Sequence, residues 1–324
     1  MKKGILERLK SGIVLGDGGY LLELEKRGYV QAGPFTPEVS ITNPEALAQL
    51  HREFLRAGAE VLQALTFYAS EDKLATVGLQ GKTDEINRAA VLIARSVANE
   101  KDVLVAGNLS LTWMYDPKEP KSADHVRKLF DRQLEVQMDV GIDFVIGETF
   151  SWVGEALIAV ESIKKAGLPA MVTMCFEEKP ESYEGYSPEE CARRLEDAGA
   201  DIVGINCLRN PENTLPLIKE MRQAVKCYVA CQPTAYRTPP GSSDFTSLPE
   251  FPLGLDPLQL TRAEMGHYAS EARDLGVNFI GSCCGSIAAH VREMARALGK
   301  APAAERDWKS KSGKPMSAYE YYDH

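Results

Sequence analysis

The chain has 324 residues, 44% hydrophobic and 26% charged, with a formal net charge of -9. That is the make-up of an ordinary globular protein with a large core, and the absence of a Lys/Arg-rich stripe argues against nucleic acid as a partner. Small molecules are the expected ligands.

The opening residues, Met1-Lys2-Lys3-Gly4-Ile5-Leu6-Glu7-Arg8, turn charged before an apolar core of signal-peptide length can form. No apolar run reaches 18 residues, so no membrane partner is expected. Seven cysteines, an odd number spread over a large chain, suit reduced thiols and metal ligation better than a disulfide scaffold. A cytoplasmic location follows as the expectation.

In chain order, an apolar run at 13–19 ends in Gly16-Asp17-Gly18-Gly19 and is followed by helical spacing over 43–57. Runs at 61–67, 103–110 and 144–150 precede helical stretches at 83–99, 122–140 and 153–166. The second half repeats the pattern, with runs at 170–176, 202–207, 227–234 and 279–285 before helical stretches at 187–198, 210–224, 261–275 and 287–298. The near-continuous hydrophobicity of the runs suits parallel strands covered on both faces. Several helices end in a glycine that can take the left-handed conformation, at Gly58, Gly141, Gly167, Gly199 and Gly276.

Eight strand–helix units predict an α/β fold, a single-domain (β/α)8 TIM barrel over 1–300. A doubly wound dinucleotide fold is disfavoured, because Gly16-Asp17-Gly18-Gly19 has the wrong spacing for its fingerprint. Residues 301–324 form a largely irregular tail whose aromatic end, Tyr319-Glu320-Tyr321-Tyr322, is read as a docking contact for the barrel or for a second subunit of a homo-oligomer.

In such barrels the chemistry lies at the carboxyl ends of the strands. Those ends carry Asp17-Gly18-Gly19, Thr66-Phe67-Tyr68, Asn108, Glu148-Thr149-Phe150, Asn206-Cys207, Gln232-Pro233 and Cys283-Cys284-Gly285. Three thiols on one rim, Cys207, Cys283 and Cys284, suggest a metal site, and three thiolates with one open position are how Zn2+ can take up a further sulfur. Side chains alternate along an extended strand, so Cys283 and Cys284 can face one ion only if the chain turns there. Gly281, Ser282 and Gly285 permit that turn. Cys175, Cys191, Cys227 and Cys231 are read as buried core thiols.

Gly204-Ile205-Asn206-Cys207 followed by Gly281-Ser282-Cys283-Cys284-Gly285 resembles the signature of the zinc-dependent homocysteine S-methyltransferases. Glu25-Lys26-Arg27-Gly28-Tyr29-Val30, Thr66-Phe67-Tyr68-Ala69-Ser70-Glu71-Asp72-Lys73-Leu74 and Leu248-Pro249-Glu250-Phe251-Pro252 look closest to the betaine–homocysteine branch. The resemblance spans roughly 5–298. It implies transfer of a methyl group from a betaine-like onium donor to the homocysteine thiol, giving methionine, with the thiol activated as the fourth ligand of zinc. It also implies that Glu148 anchors the homocysteine ammonium, that Asp17 with the amides of Gly18 and Gly19 holds the amino acid's polar end, and that Phe35 and Tyr68 contact the donor.

Phe35 stands where the betaine enzymes resemble one another in having tryptophan, and Thr149 where they have tyrosine. These departures leave S-methylmethionine, a dimethylsulfonio compound and a corrinoid as alternative donors. A zinc barrel that binds thiol amino acids without chemistry is the non-enzyme alternative.

Overall fold

The computed structural model describes residues 3–31, 33–34, 36–239 and 241–301. Phe35 and the tail at 302–324, to which the sequence assigns a donor contact and a docking role, lie outside the described residues. Eight parallel strands form one sheet: β1 (Val14–Leu15), β2 (Val61–Gln63), β3 (Leu104–Ser110), β4 (Phe144–Phe150), β5 (Ala170–Met174), β6 (Ile202–Asn206), β7 (Tyr228–Gln232) and β8 (Phe279–Ile280). Their order, β1-β8-β7-β6-β5-β4-β3-β2, is that of a barrel opened at the β1/β2 seam. Glu60 bridges the seam: its N–H donates to the Leu15 carbonyl at 2.9 Å, and its carboxylate accepts from the Leu15 N–H at 2.8 Å. The TIM-barrel expectation holds.

The eight expected helices are present at Pro44–Ala57, Thr83–Ala98, Pro120–Val140, Val153–Lys165, Pro188–Asp197, Pro211–Ala224, Arg262–Asp274 and Ala288–Ala297. Ser187 and Thr261 cap their helices with a reciprocal glutamate, and Asn210 caps a third. All five glycines expected to end helices have positive φ. Four short helices, Ile5–Ser11, Leu21–Lys26, Val39–Thr42 and Glu71–Ala75, are additional to the expected set. No helix among the described residues is long and apolar enough to cross a membrane.

Two apolar layers hold the barrel. One joins the outer faces of the strands to the helices; the other fills the interior with Val14, Val61, Ala106, Ile146, Ala230 and Phe279 among others. Ile5 and Leu9 of the first helix join this interior layer, so that helix stoppers the amino end. The cavity that remains is at the carboxyl end, where the rim residues stand.

Gly204 shows how tight the wall is: a Cβ there would run into the Ala230 carbonyl of β7. Gly204→Ala should therefore cost at least the roughly 1–3 kcal/mol of an overpacked site, read as a lower denaturant midpoint. An unchanged midpoint would show that the β6/β7 wall yields freely.

Candidate active site

The period of two along a strand selects the residues that face the site. Val61, Ala106, Ile146 and Ala230 belong to the interior layer, so Gln63, Asn108, Glu148 and Gln232, each two residues further on, face the same way one layer higher. Asn206 joins them from β6, four residues after the interior Ile202. The apolar plug of the barrel thus ends under a ring of amides surrounding one carboxylate. Gln63 Nε2 donates to Glu148 Oε1 at 2.5 Å, Asn108 Nδ2 to the same oxygen at 2.7 Å, and Asn206 Nδ2 to Oε2 at 3.0 Å.

Glu148 is 9% exposed, and burial pushes its carboxyl up to about 8, with the charge of Cys207 adding to the effect. Asp17 stands in the same cavity. Its Oδ2 accepts from the Tyr20 hydroxyl at 2.5 Å and from the Gln63 N–H at 2.8 Å, and burial pushes it up to about 7 against those bonds. Two buried acids with no cationic partner in the lining make a site that a positive ligand group would relieve.

Across the cavity the three rim cysteines converge, their ligand atoms all within 4.8 Å of one another. Cys207 Sγ lies 3.6 Å from Cys284 Sγ, which lies 3.9 Å from Cys283 Sγ. Three sulfurs on one tetrahedral ion at about 2.3 Å would stand about 3.8 Å apart, so the thiols fit a shared metal. Without a cation the three cannot ionise together: hydrogen bonds from Cys283 and Cys284 hold Cys207 well below the usual thiol range, while Cys283 and Cys284 are pushed well above it. The other thiols contrast with them. Burial pushes Cys175, Cys191 and Cys231 each up to about 12, as inert core thiols require. Cys227 is only partly buried, against the expectation of a core thiol, and is pushed up to about 12 by that burial and the nearby Glu196 charge.

The turn that aims Cys283 and Cys284 begins where β8 stops at Ile280. Pro233 accepts from the Cys283 N–H, and the Cys284 carbonyl accepts from Ala235 N–H and Thr234 Oγ1. Gly285 closes the turn at φ +80°, and a Cβ there would sit 2.6 Å from the Tyr236 ring. Ser282 turns its hydroxyl to Ser286 at 2.6 Å.

Left-handed backbone supplies the remaining reorientation. Among the described residues, the non-glycine positions of positive φ are Tyr68, Trp113, Thr149, Cys207 and Leu208. All follow or end barrel strands on this rim, where such strain is characteristic of functional sites. At Thr149 (φ 63°) it breaks the strand's alternation and brings a residue that would face outward into the cavity lining beside Glu148. Its Oγ1 accepts from Asn206 at 2.7 Å.

The cavity opens at the carboxyl end of the barrel, where enzymes of this fold bind their substrates. Asp17, Gly18, Gly19, Glu148, Thr149 and the three cysteines all line it. One detail departs from expectation: the Gly19 N–H is occupied by the Ser286 carbonyl at 3.1 Å, so it is not free to hold a ligand carboxylate. Gly19 is constrained instead by the metal turn, since a Cβ there would lie 2.6 Å from the Cys283 carbonyl oxygen.

Phe67 and Tyr20 are the aromatics in the cavity lining, and the Tyr68 ring packs against Phe67, centroids 4.2 Å apart. Trp113 Nε1 donates to the Tyr68 hydroxyl at 3.3 Å, and Lys73 Nζ sits 4.4 Å above the Tyr68 ring. Sequence reasoning missed Gln63, Phe67's place in the lining, Trp113 and Tyr20. A lone polar residue inside Val61-Leu62-Gln63-Ala64-Leu65 was the available signal for the first.

A family model described as homocysteine S-methyltransferase matches residues 14–298. The chain is 47% identical to mouse betaine–homocysteine S-methyltransferase 1, covering 97% of this chain and 81% of that protein. It is 45% identical to an S-methylmethionine–homocysteine S-methyltransferase of Pongo abelii, covering 92% and 82%. The metallated homocysteine methyltransferase MmuM of Escherichia coli shares the fold, with a TM-score of 0.71 at 19% identity over 88% of this chain and 96% of that one. A match over nearly the whole barrel, carried by a rim that gathers three thiols opposite two buried acids, leaves one conclusion: the chain belongs to the homocysteine S-methyltransferase family and is a methyltransferase.

Proposed function

We propose that the protein transfers a methyl group from a betaine-like onium donor to the thiol of homocysteine, with Zn2+ held by Cys207, Cys283 and Cys284. The observation that carries this reading is the pairing within one cavity of three converging sulfurs and two buried carboxylates. An amino acid bearing both an ammonium and a thiol complements both features. When bound, zinc would acidify the homocysteine thiol so that it is a thiolate at neutral pH.

The chain's own residues bind and orient. Glu148, fixed by Gln63, Asn108 and Asn206, and Asp17, fixed by Tyr20 and Gln63, accept from the substrate ammonium, and that cation holds both acids ionised. Thr149 Oγ1, already an acceptor from Asn206, keeps its O–H to donate into the cavity. Phe67 offers an apolar face to the donor's methyl groups, with Tyr68 and Trp113 behind it. The homocysteine sulfur attacks the methyl carbon in line, a sulfur–carbon bond forms as the carbon–nitrogen bond breaks, and the amine leaves neutral with the bond's electron pair. No protein base is needed at the reacting atoms, so placement near contact distance supplies much of the rate. A reducing, cytoplasmic setting suits a site of three thiolates.

S-methylmethionine is the second donor reading, because a relative named for that donor is almost as similar as those named for betaine and Phe35 and Thr149 depart from the betaine pattern. The test is initial-rate methionine formation with zinc-loaded protein and homocysteine against betaine, dimethylsulfonioacetate and S-methylmethionine in turn. Betaine is expected to give the highest kcat/KM. Turnover only with S-methylmethionine reassigns the donor, and turnover only with an added cobalamin protein would refute direct transfer from an onium compound.

A further inference from the structure

His51 has no part in the chemistry above, yet with Tyr20 it forms a buried chain that ends on Asp17. Tyr20 Oη lies 2.5 Å from Asp17 Oδ2 and 3.0 Å from His51 Nδ1. The three residues are 9%, 3% and 0% exposed for Tyr20, Asp17 and His51. With the substrate ammonium holding Asp17 ionised, its carboxylate can only accept, so the phenol O–H donates to it, and the phenol oxygen is left to accept from His51. His51 must then carry hydrogen on Nδ1.

Nothing contradicts that tautomer. His51 Nε2 is buried with no partner among the described residues, and burial pushes the imidazole down to about 3, so the ring is neutral. An unpartnered buried acceptor is a cost, and the neutral Nδ1–H donor is what the arrangement yields in return. Tyr20 is held in place: its ring packs edge-on against Phe54 at 5.2 Å and lies tilted against the His51 ring at 5.0 Å. With the Gln63 N–H also on Oδ2, that oxygen is saturated, the carboxylate plane is fixed, and Oδ1 is left for a ligand.

We propose that His51 and Tyr20 are positioning residues that lock the Asp17 carboxylate for the substrate's ammonium, and so select an α-amino thiol over a thiol lacking the amino group. The inference rests on the homocysteine reading above. It assigns to residues outside the metal cluster the discrimination between two thiols of equal reactivity.

Tyr20→Phe deletes only the hydroxyl and keeps the ring packing. The measurement is kcat and KM for homocysteine and for 4-sulfanylbutanoate, which is homocysteine without its amino group. The ratio of kcat/KM values, homocysteine over 4-sulfanylbutanoate, should fall about tenfold, as loss of a charge-assisted contact implies. The homocysteine KM should rise by the same factor, with kcat within twofold and the donor KM unmoved. His51→Asn, whose side-chain amide can donate from near the Nδ1 position, should keep the ratio, and His51→Leu should lower it.

Calorimetric affinity for homocysteine without any donor should also drop about tenfold in Tyr20→Phe. That readout separates the two ideas: if wild-type protein turns over with no donor, the proposed reaction fails while the relay is still decided by binding. An unchanged ratio and affinity in Tyr20→Phe would overturn the relay. So would equal losses for both thiols accompanied by a lower Tm, which would mark Tyr20 as packing alone.

Discussion

Alanine at Cys207, Cys283 or Cys284 should lower methyl transfer by about a thousandfold or more and reduce bound zinc to a small fraction of a site, while the barrel stays folded. Three sulfurs at 3.6 and 3.9 Å separations form a set in which each ligand helps to hold the ion, and loss of one leaves two thiols that are no longer paid for their ionisation. The substrate thiol then reverts to its ordinary acidity, with only a few per cent thiolate at neutral pH. Folding should survive because all three residues sit on rim turns beyond the ends of β6 and β8, outside the two large apolar layers and against a small cluster that includes Tyr236 and Phe245. Cys191→Ala is the matched control, since that thiol is buried in the helix layer and pushed up to about 12. Metal analysis beside the rate assay checks this, and a cysteine variant keeping both zinc and turnover would break the ligand assignment.

Glu148→Gln should raise the homocysteine KM by roughly 10- to 100-fold, the worth of one charge-assisted contact of about 1.5–3 kcal/mol. The damage goes beyond charge. Gln63, Asn108 and Asn206 all donate to this carboxylate, and a glutamine presents an NH2 group to at least one of them. Donor then meets donor in a buried site, so binding and stability should both fall. The effect should be confined to ligands with an ammonium: 4-sulfanylbutanoate should lose little. Equal losses for homocysteine and its amino-free analogue would show that Glu148 supports the wall rather than the ligand.

Much of this could be read from the sequence because strands and helices announce themselves by period. Eight apolar runs with capped helices between them fixed the ring, and in a ring the strand ends must meet, which brought Cys207 together with Cys283 and Cys284 across 76 and 77 positions of chain. Glu148 emerged the same way. Its ring of amides was less visible, because Gln63 lies inside a run that reads as continuous strand to residue 67, whereas β2 pairs only to Gln63. The left-handed residues were not visible either: nothing in Thr149 or Trp113 as residue types demands positive φ, and tertiary contacts impose it. Tyr20 escaped because its partners stand 3 residues before it and 31 after it, a pairing that no local pattern encodes.

The central claim is that the cysteine site takes the proton from the substrate thiol, and proton release on binding tests it most directly. Titrating zinc-loaded protein near neutral pH in buffers of different ionisation enthalpy counts protons for homocysteine and for methionine. Both ligands carry the same ammonium, so any protons driven off Asp17 and Glu148, pushed up to about 7 and about 8 in the free cavity, are common to the two. Homocysteine should release about one proton more than methionine, and the difference should vanish in Cys283→Ala. Equal proton counts for the two ligands on the zinc-loaded wild-type protein would contradict thiol activation at this site.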